Sequence, residues 1–206
     1  MTTRTATLRR RPLVKAILAG ADDDLLVISG LGSSTWDVTE AGDRPLNLPL
    51  WGAMGAPVAM GLGLAMAQPG KRVLVITGDG DMLMSLGSLA TVATQQPDNL
   101  AIVVLDNEKF GETGNQATHT SPRDNGPTGS GAGTDLSLVA RGCGIADAGI
   151  VREADEVAQL VEDARTTRGP VFRVVKVMVE KLELVMPPQD GAHLKDRFRQ
   201  ALLGHP

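Results

Sequence analysis

The sequence predicts an α/β protein: a doubly wound, mainly parallel sheet with helices on both faces. Three observations predict it. Short apolar runs at residues 25–29, 73–77, 101–105 and 171–179 alternate with stretches of helical periodicity, the signature of a parallel sheet covered by helices. The runs are nearly all apolar, as strands buried on both faces are. Two of them end in polar turns, Gly78-Asp79-Gly80 and Asp106-Asn107. A parallel sheet brings such turns to its C-terminal edge, where open α/β sheets bind ligands.

Taken in order, residues 1–9 are polar and expected to fray. A helix is predicted over 12–18, with Pro12 tolerated near its start and Arg9-Arg10-Arg11 as its solvated beginning. Asp22-Asp23-Asp24 is a turn and Leu25–Ser29 a strand. Gly30-Leu31-Gly32-Ser33-Ser34 then opens a helix toward Glu40. This turn lacks the third glycine of a dinucleotide fingerprint, since Thr35 stands near its place. Amides at a helix N-terminus can still hold phosphate.

Residues 43–50, with Pro45 and Pro49, read as irregular. Residues 53–67 read as a buried helix, broken by glycines and short of the roughly 20 residues that span a bilayer. Gly55, Ala59 and Gly63 lie four apart and share a face that another backbone could approach. After Gly80 a helix is predicted over 82–95, with Leu83, Leu86 and Leu89 as its sheet-facing stripe. Asp81 reads as the cap of that helix.

Residues 111–134 form a Gly/Pro/Thr/Ser loop, long for a compact domain and therefore expected to be a lid. A helix over 135–141 follows, capped by Thr134 or Asp135. Then come a strand over 148–151, an amphipathic helix over 153–167, a strand over 171–179, and Gly191–Leu203 as a helix within a C-terminal segment 187–206. The 206 residues are expected to form a single domain.

Composition excludes some functions. The net charge of −4 argues against a nucleic-acid partner. One cysteine, Cys143, excludes an internal disulfide and a cysteine-based metal site. No signal peptide or membrane span is apparent, so a cytoplasmic location is expected.

The two turns carry the chemistry. A carboxylate (Asp79) and an amide oxygen (Asn107) aimed at one point, among glycines, suit a hard cation carrying a diphosphate. Magnesium takes few oxygens from protein and the rest from phosphate and water. Gly78 and Gly80 leave room for phosphate oxygens.

This pattern resembles the signature of thiamine diphosphate (ThDP) enzymes, Gly-Asp-Gly, a spacer, then Asn-Asn. Asp79 and Asn107 stand 28 positions apart, which fits that spacer, and Phe110-Gly111 resembles the motif's end. Asp106 replaces the first Asn of the pair; the family's metal ligand is the second. The resemblance implies the ThDP-binding fold, with magnesium held by Asp79, Asn107 and the Lys109 main-chain carbonyl. It also implies diphosphate contacts from Gly32, Ser33, Gly78, Gly80 and Asp81. Met54, 25 positions before Asp79, stands where the family places the bulky residue that bends the cofactor. Gly52 would accept from its 4′-amino group.

The resemblance covers the diphosphate-binding domain only. The family also needs a pyrimidine-binding domain that supplies a catalytic glutamate, and the chain has no room for one. It therefore implies a split enzyme with an α-type partner subunit, in an α2β2 or larger hetero-oligomer. The run Thr113-Gly114-Asn115-Gln116-Ala117-Thr118-His119 resembles the sulfopyruvate and phosphonopyruvate decarboxylase group. It implies non-oxidative decarboxylation of a small anionic 2-oxoacid, a 3-substituted pyruvate, to an aldehyde and CO2. His119 and Glu112 are the catalytic candidates, with Arg123 a further candidate for the substrate anion. Carboligation of the acetolactate-synthase kind, or a non-catalytic subunit, are the alternatives.

Overall fold

The computed structural model describes residues 6–122 and 133–205. A six-stranded parallel sheet has the order β2-β1-β3-β4-β8-β7. In chain order the strands are β1 (Leu25–Ser29), β2 (Asn47–Pro49), β3 (Arg72–Gly78), β4 (Leu100–Asp106), β7 (Asp147–Val151) and β8 (Val171–Lys176). A two-stranded antiparallel hairpin, β5 (Lys109–Phe110) with β6 (Gln116–Ala117), projects beyond β4.

Alternate residues of each strand feed two cores. Leu26, Ile28, Val73, Val75, Ile102 and Val104 face one side. They meet α3 (Pro57–Ala67), α5 (Leu86–Gln95), α6 (Leu136–Cys143) and α8 (Gly191–Leu203). Leu25, Val27, Leu74, Ile76, Ala101 and Val103 face the other side. There α1 (Arg10–Leu18), α2 (Ser33–Ala41) and α7 (Val157–Arg165) cover them. The doubly wound reading therefore holds. The helix following β1 and the helix α5 following β3 lie on opposite faces, so the C-terminal ends of these adjacent strands flank a topological switch point.

Several elements differ from expectation. The predicted helix 82–95 is two helices, α4 (Asp79–Leu83) and α5, separated at Met84 and Ser85. Gly78, not Asp81, stands at the start of α4, so Asp81 is no cap. The helix read over 53–67 begins only at Pro57, since Gly55 sits at φ +82. Its buried face is Val58, Gly61, Leu62 and Ala65, while Met60 and Met66 are exposed. Gly61, which a Cβ would drive to 2.3 Å from Val75, makes the close approach; Gly63 faces open space.

Residues 47–49, read as irregular, form the parallel edge strand β2, whose Asn47 pairs with Val27. The final strand stops at Lys176 rather than 179. Val177 instead bridges Leu8, so residues 6–9 are held rather than frayed. The arginine cluster is solvated only at Arg9, which is exposed; Arg10 is buried and, with Arg11, pairs Asp37 of α2 at 2.5 and 2.9 Å. Burial raises the Asp37 pKa against the pull of both arginines. The amphipathic helix starts at Val157, after a 3₁₀ turn over Ala154–Glu156. Asp135 caps α6 by accepting the Ser137 and Leu138 amides, and α8 matches its predicted bounds.

Candidate cofactor and metal site

The first turn is built by β1 and α2. The Thr35 hydroxyl donates to the Gly30 carbonyl at 2.7 Å, and the buried Arg10 guanidinium reaches the Ser33 carbonyl at 3.3 Å. Gly32 takes φ +69, a conformation that favours glycine. At the second residue of the helix, the Ser34 hydroxyl is buried with no partner among the described residues.

The second turn follows β3. Asp79 begins α4 and is buried. The β3–β4 register sets Gly78 beside Leu105, which brings Asp79 level with Asp106. The Thr118 hydroxyl donates to Oδ2 of Asp79 at 2.5 Å. The Thr120 hydroxyl lies 3.0 Å from the same oxygen and 2.9 Å from Oδ1 of Asp106. The Lys176 ammonium sits 2.6 Å from Asp106 and 2.9 Å from Glu108. Burial, then the Asp106 charge, raises the Asp79 pKa to about 6 against the lowering effect of the two hydroxyls. Burial draws the Lys176 ammonium down, but the Asp106 and Glu108 carboxylates outweigh it and its pKa is raised.

Asn107 closes a local turn, its Oδ1 accepting the Lys109 amide at 2.9 Å. The hairpin then orients the next carbonyl. The Thr118 amide bonds the Glu108 carbonyl and the Asn115 amide bonds the Phe110 carbonyl. Antiparallel alternation turns the intervening Lys109 carbonyl away from β6. The Phe110 ring lies over Gly80, where a Cβ would come within 2.5 Å of it. Phe110 thereby locks the end of one motif onto the other.

The Met54 turn is tied to the same edge. Oδ1 of Asp81 accepts the Gly55 amide at 2.5 Å, and its Oδ2 accepts the Thr77 hydroxyl at 2.6 Å. A Cβ at Gly30 would lie 2.1 Å from that Oδ2, so the first glycine turn packs directly on this carboxylate. Met54 is 38% exposed and Gly52 is open. Both oxygens of Asp81 have donors, which hold its carboxylate within the turn.

The remaining candidates lie at the rim. Glu112 is exposed, accepts the Trp36 indole N–H at 3.2 Å and packs over Gly32. His119 lies between the inward-facing Thr118 and Thr120 and is exposed, and its carbonyl accepts the Thr134 amide at 2.7 Å. Gly111 opens a 3₁₀ turn over Gly111–Thr113. The start of the expected lid is thus structured; residues 123–132, with Arg123, lie outside the described residues. A cavity of about 450 Å³ lined by Asp106, Asn107, Lys109, Arg152 and Lys176 opens on the β7–β8 side. Neither Asp79 nor the glycine turns line it, so it lies beside the cleft rather than forming it.

The residues fit a metal diphosphate. Asp79 keeps one oxygen that no other described residue engages. Asn107 and an outward carbonyl stand at the neighbouring strand end. An orphaned hydroxyl and two glycine turns lie at the switch point. Among the described residues no three His, Cys, Asp or Glu side chains converge as a cage, and a cation completed by phosphate needs none. The sequence reading missed Thr77, Thr118, Thr120 and Lys176. Among these only Thr118 left a signal, as a member of the run over residues 113–119, with Thr120 two positions on.

Residues 31–175 match the family profile described as thiamine pyrophosphate enzyme, C-terminal TPP binding domain. The chain is 34% identical over 187 residues to the sulfopyruvate decarboxylase subunit beta of Methanothermobacter thermautotrophicus, covering 91% of this chain and 92% of that one. It is 34% identical over 198 residues to the phosphonopyruvate decarboxylase of Streptomyces viridochromogenes, covering 96% of this chain and 45% of the longer protein. Among solved structures, benzoylformate decarboxylase from Polynucleobacter necessarius superposes with a TM-score of 0.66 at 17% identity. That match covers 90% of this chain and 36% of the other, and speaks to the fold alone. No helix among the described residues is long and apolar enough to cross a membrane.

Proposed function

The chain belongs to the thiamine pyrophosphate enzyme family through its C-terminal TPP-binding domain, and from that premise we propose that it is the β-type subunit of a split ThDP- and magnesium-dependent decarboxylase. Its substrate is a small anionic 2-oxoacid, a 3-substituted pyruvate such as sulfopyruvate or phosphonopyruvate. The products are the aldehyde and CO2. The near full-length match to a sulfopyruvate decarboxylase β subunit supports this reading over carboligation. The observation that carries the site is the placement of Asp79, whose Oδ1 no other described residue engages, and Asn107 at adjacent strand ends.

In this reading Asp79, Asn107 and the Lys109 carbonyl hold magnesium, and the amides of Gly32, Ser33, Gly78 and Gly80 face the diphosphate. Asp81 acts one step back, holding the turn from which Met54 supports the bent cofactor and the Gly52 carbonyl accepts its amino group. Phe110 and Gly111 close the site over Gly80. When bound, ThDP supplies the electron-accepting thiazolium that decarboxylation requires. His119 and Glu112 lie on the substrate side, His119 exposed in the turn whose flanking threonines touch Asp79.

The glutamate that activates the cofactor comes from a pyrimidine-domain partner. Within this chain the two glutamates beside the site are occupied, Glu108 by Lys176 and Glu112 by Trp36. An α2β2 cytoplasmic assembly completes the proposal. Isothermal titration with ThDP and magnesium, with and without the partner, tests it. Saturable binding is expected; no binding in either case contradicts it.

A further inference from the structure

Asp79 can serve a cation only if its carboxylate is turned correctly, and the structure shows what turns it. Oδ2 accepts the Thr118 hydroxyl at 2.5 Å, and the Thr120 hydroxyl stands 3.0 Å from the same oxygen, its single proton shared with Oδ1 of Asp106. Both threonines are buried, Thr118 completely, so water does not compete for those contacts. The two hydroxyls lie 2.8 Å apart. Thr120 is anchored in turn by Asp106 at 2.9 Å, and Asp106 by Lys176 at 2.6 Å. The chain Lys176–Asp106–Thr120–Asp79 ends on a single oxygen, and Oδ1 is left to one side. The Thr118 amide also closes the β5–β6 hairpin on the Glu108 carbonyl at 3.1 Å. The same residue therefore fixes the hairpin that turns the Lys109 carbonyl outward.

We propose that Thr118 and Thr120 are positioning residues for the metal: their hydroxyls pin Oδ2 of Asp79 and thereby present Oδ1 to the cation. This rests on the reading of Asp79 as a metal ligand. The groups that orient a metal-binding carboxylate are part of the site, and losing one typically lowers metal affinity about 10- to 100-fold. A buried carboxylate that loses a hydroxyl donor is free to rotate and must find another partner. The backbone contribution of Thr118 does not depend on its side chain, so substitutions separate the hydroxyl from the hairpin.

The test is Mn2+ binding to the full chain in the presence of ThDP, followed by the loss of the free-ion paramagnetic resonance signal. Unfolding curves confirm that each variant is folded. Thr118→Val keeps the shape and removes the donor; about a tenfold or greater weakening of Mn2+ affinity is expected. Thr118→Ser restores the hydroxyl and is expected to bind as the unaltered chain does. Thr120→Val is expected to weaken binding further when combined with Thr118→Val. If Thr118→Val does not fold, Thr118→Cys replaces it, with a poor donor of similar size, and the same weakening is expected.

Wild-type affinity in the Val or Cys variant would overturn the proposal. So would a Ser variant as weak as Val, which would make the effect one of packing. Asp79→Asn separates this failure from that of the underlying reading. If Asp79→Asn still binds Mn2+, the metal assignment itself fails. If it loses Mn2+ while Thr118→Val does not, only the positioning role fails.

Discussion

Asp81 and Gly55 are joined across the switch point: one carboxylate oxygen accepts the Gly55 amide at 2.5 Å while the other holds the Thr77 hydroxyl. The strand end that bears Asp79 is thereby tied to the turn that bears Met54. An alanine in this place removes both acceptors at once, whereas an amide could keep the Gly55 bond and donate to the Thr77 hydroxyl. Asp81→Ala is expected to release the Met54 turn. Turnover of the assembled enzyme should fall about tenfold, the equivalent of roughly one hydrogen bond, with ThDP affinity changing less. Steady-state kinetics beside ThDP titration checks this; an equal loss in both would place Asp81 at the cofactor instead.

In the proposed reading, Asp79 trades stability for function. Its pKa in the folded chain, about 6, lies above the ordinary 3.8. The folded state therefore binds the proton more tightly than the unfolded state, and the metal-free chain loses stability as pH rises through that interval. Above it, Asp79→Asn removes the cost of a buried charge beside Asp106. The variant is expected to gain roughly 1–3 kcal/mol, a few degrees of melting temperature, at neutral pH without metal. It should also lose its metal. Thermal unfolding at two pH values, one on either side of the interval, checks the sign.

The same ionisation governs loading. A cation requires the ionised carboxylate, so apparent metal affinity is expected to be flat above about pH 6 and to fall about tenfold per unit below it. Mn2+ titrations across that range measure it. A flat profile through pH 5 would contradict the elevated Asp79 pKa.

A second buried charge cluster is structural. Asp37 is fully buried and holds both Arg10 and Arg11. Removing one member of such a cluster strands the others, so Asp37→Ala is expected to cost about 3–5 kcal/mol. Denaturant unfolding measures it. Because Arg10 also reaches the Ser33 carbonyl, a weaker secondary loss of ThDP affinity is expected.

The sequence made the skeleton of this site legible because the signals are local. The run Leu25–Ser29 is long enough and apolar enough to be a buried strand, and the end of α8 at Gly204 has its own chemistry, a left-handed glycine cap. Asp79 and Asn107 could be paired because parallel strands end on the same edge. What was not legible depends on partners far along the chain. Arg10 looked like a solvated cation because its counter-ion, Asp37, lies 27 positions away. Asp81 looked like a cap because its true donor, Gly55, is 26 positions upstream. The break between α4 and α5 falls at Met84 and Ser85, with no proline and with Gly87 already inside the first turn of α5. The short edge strand β2 ends in Pro49 with Pro45 just before it, a contrary local signal, and is held by pairing with β1. The threonines that hold Asp79 are ordinary loop residues until the hairpin folds them back onto it.

The most direct test of the account is CO2 release from sulfopyruvate and phosphonopyruvate, measured with ThDP and magnesium present, for this chain alone, for its pyrimidine-domain partner alone, and for the two together. The account predicts release from at least one substrate only when both subunits are present, and its loss with Asp79→Asn. Release by this chain alone, or none from either substrate by a cofactor-loaded pair, would contradict it.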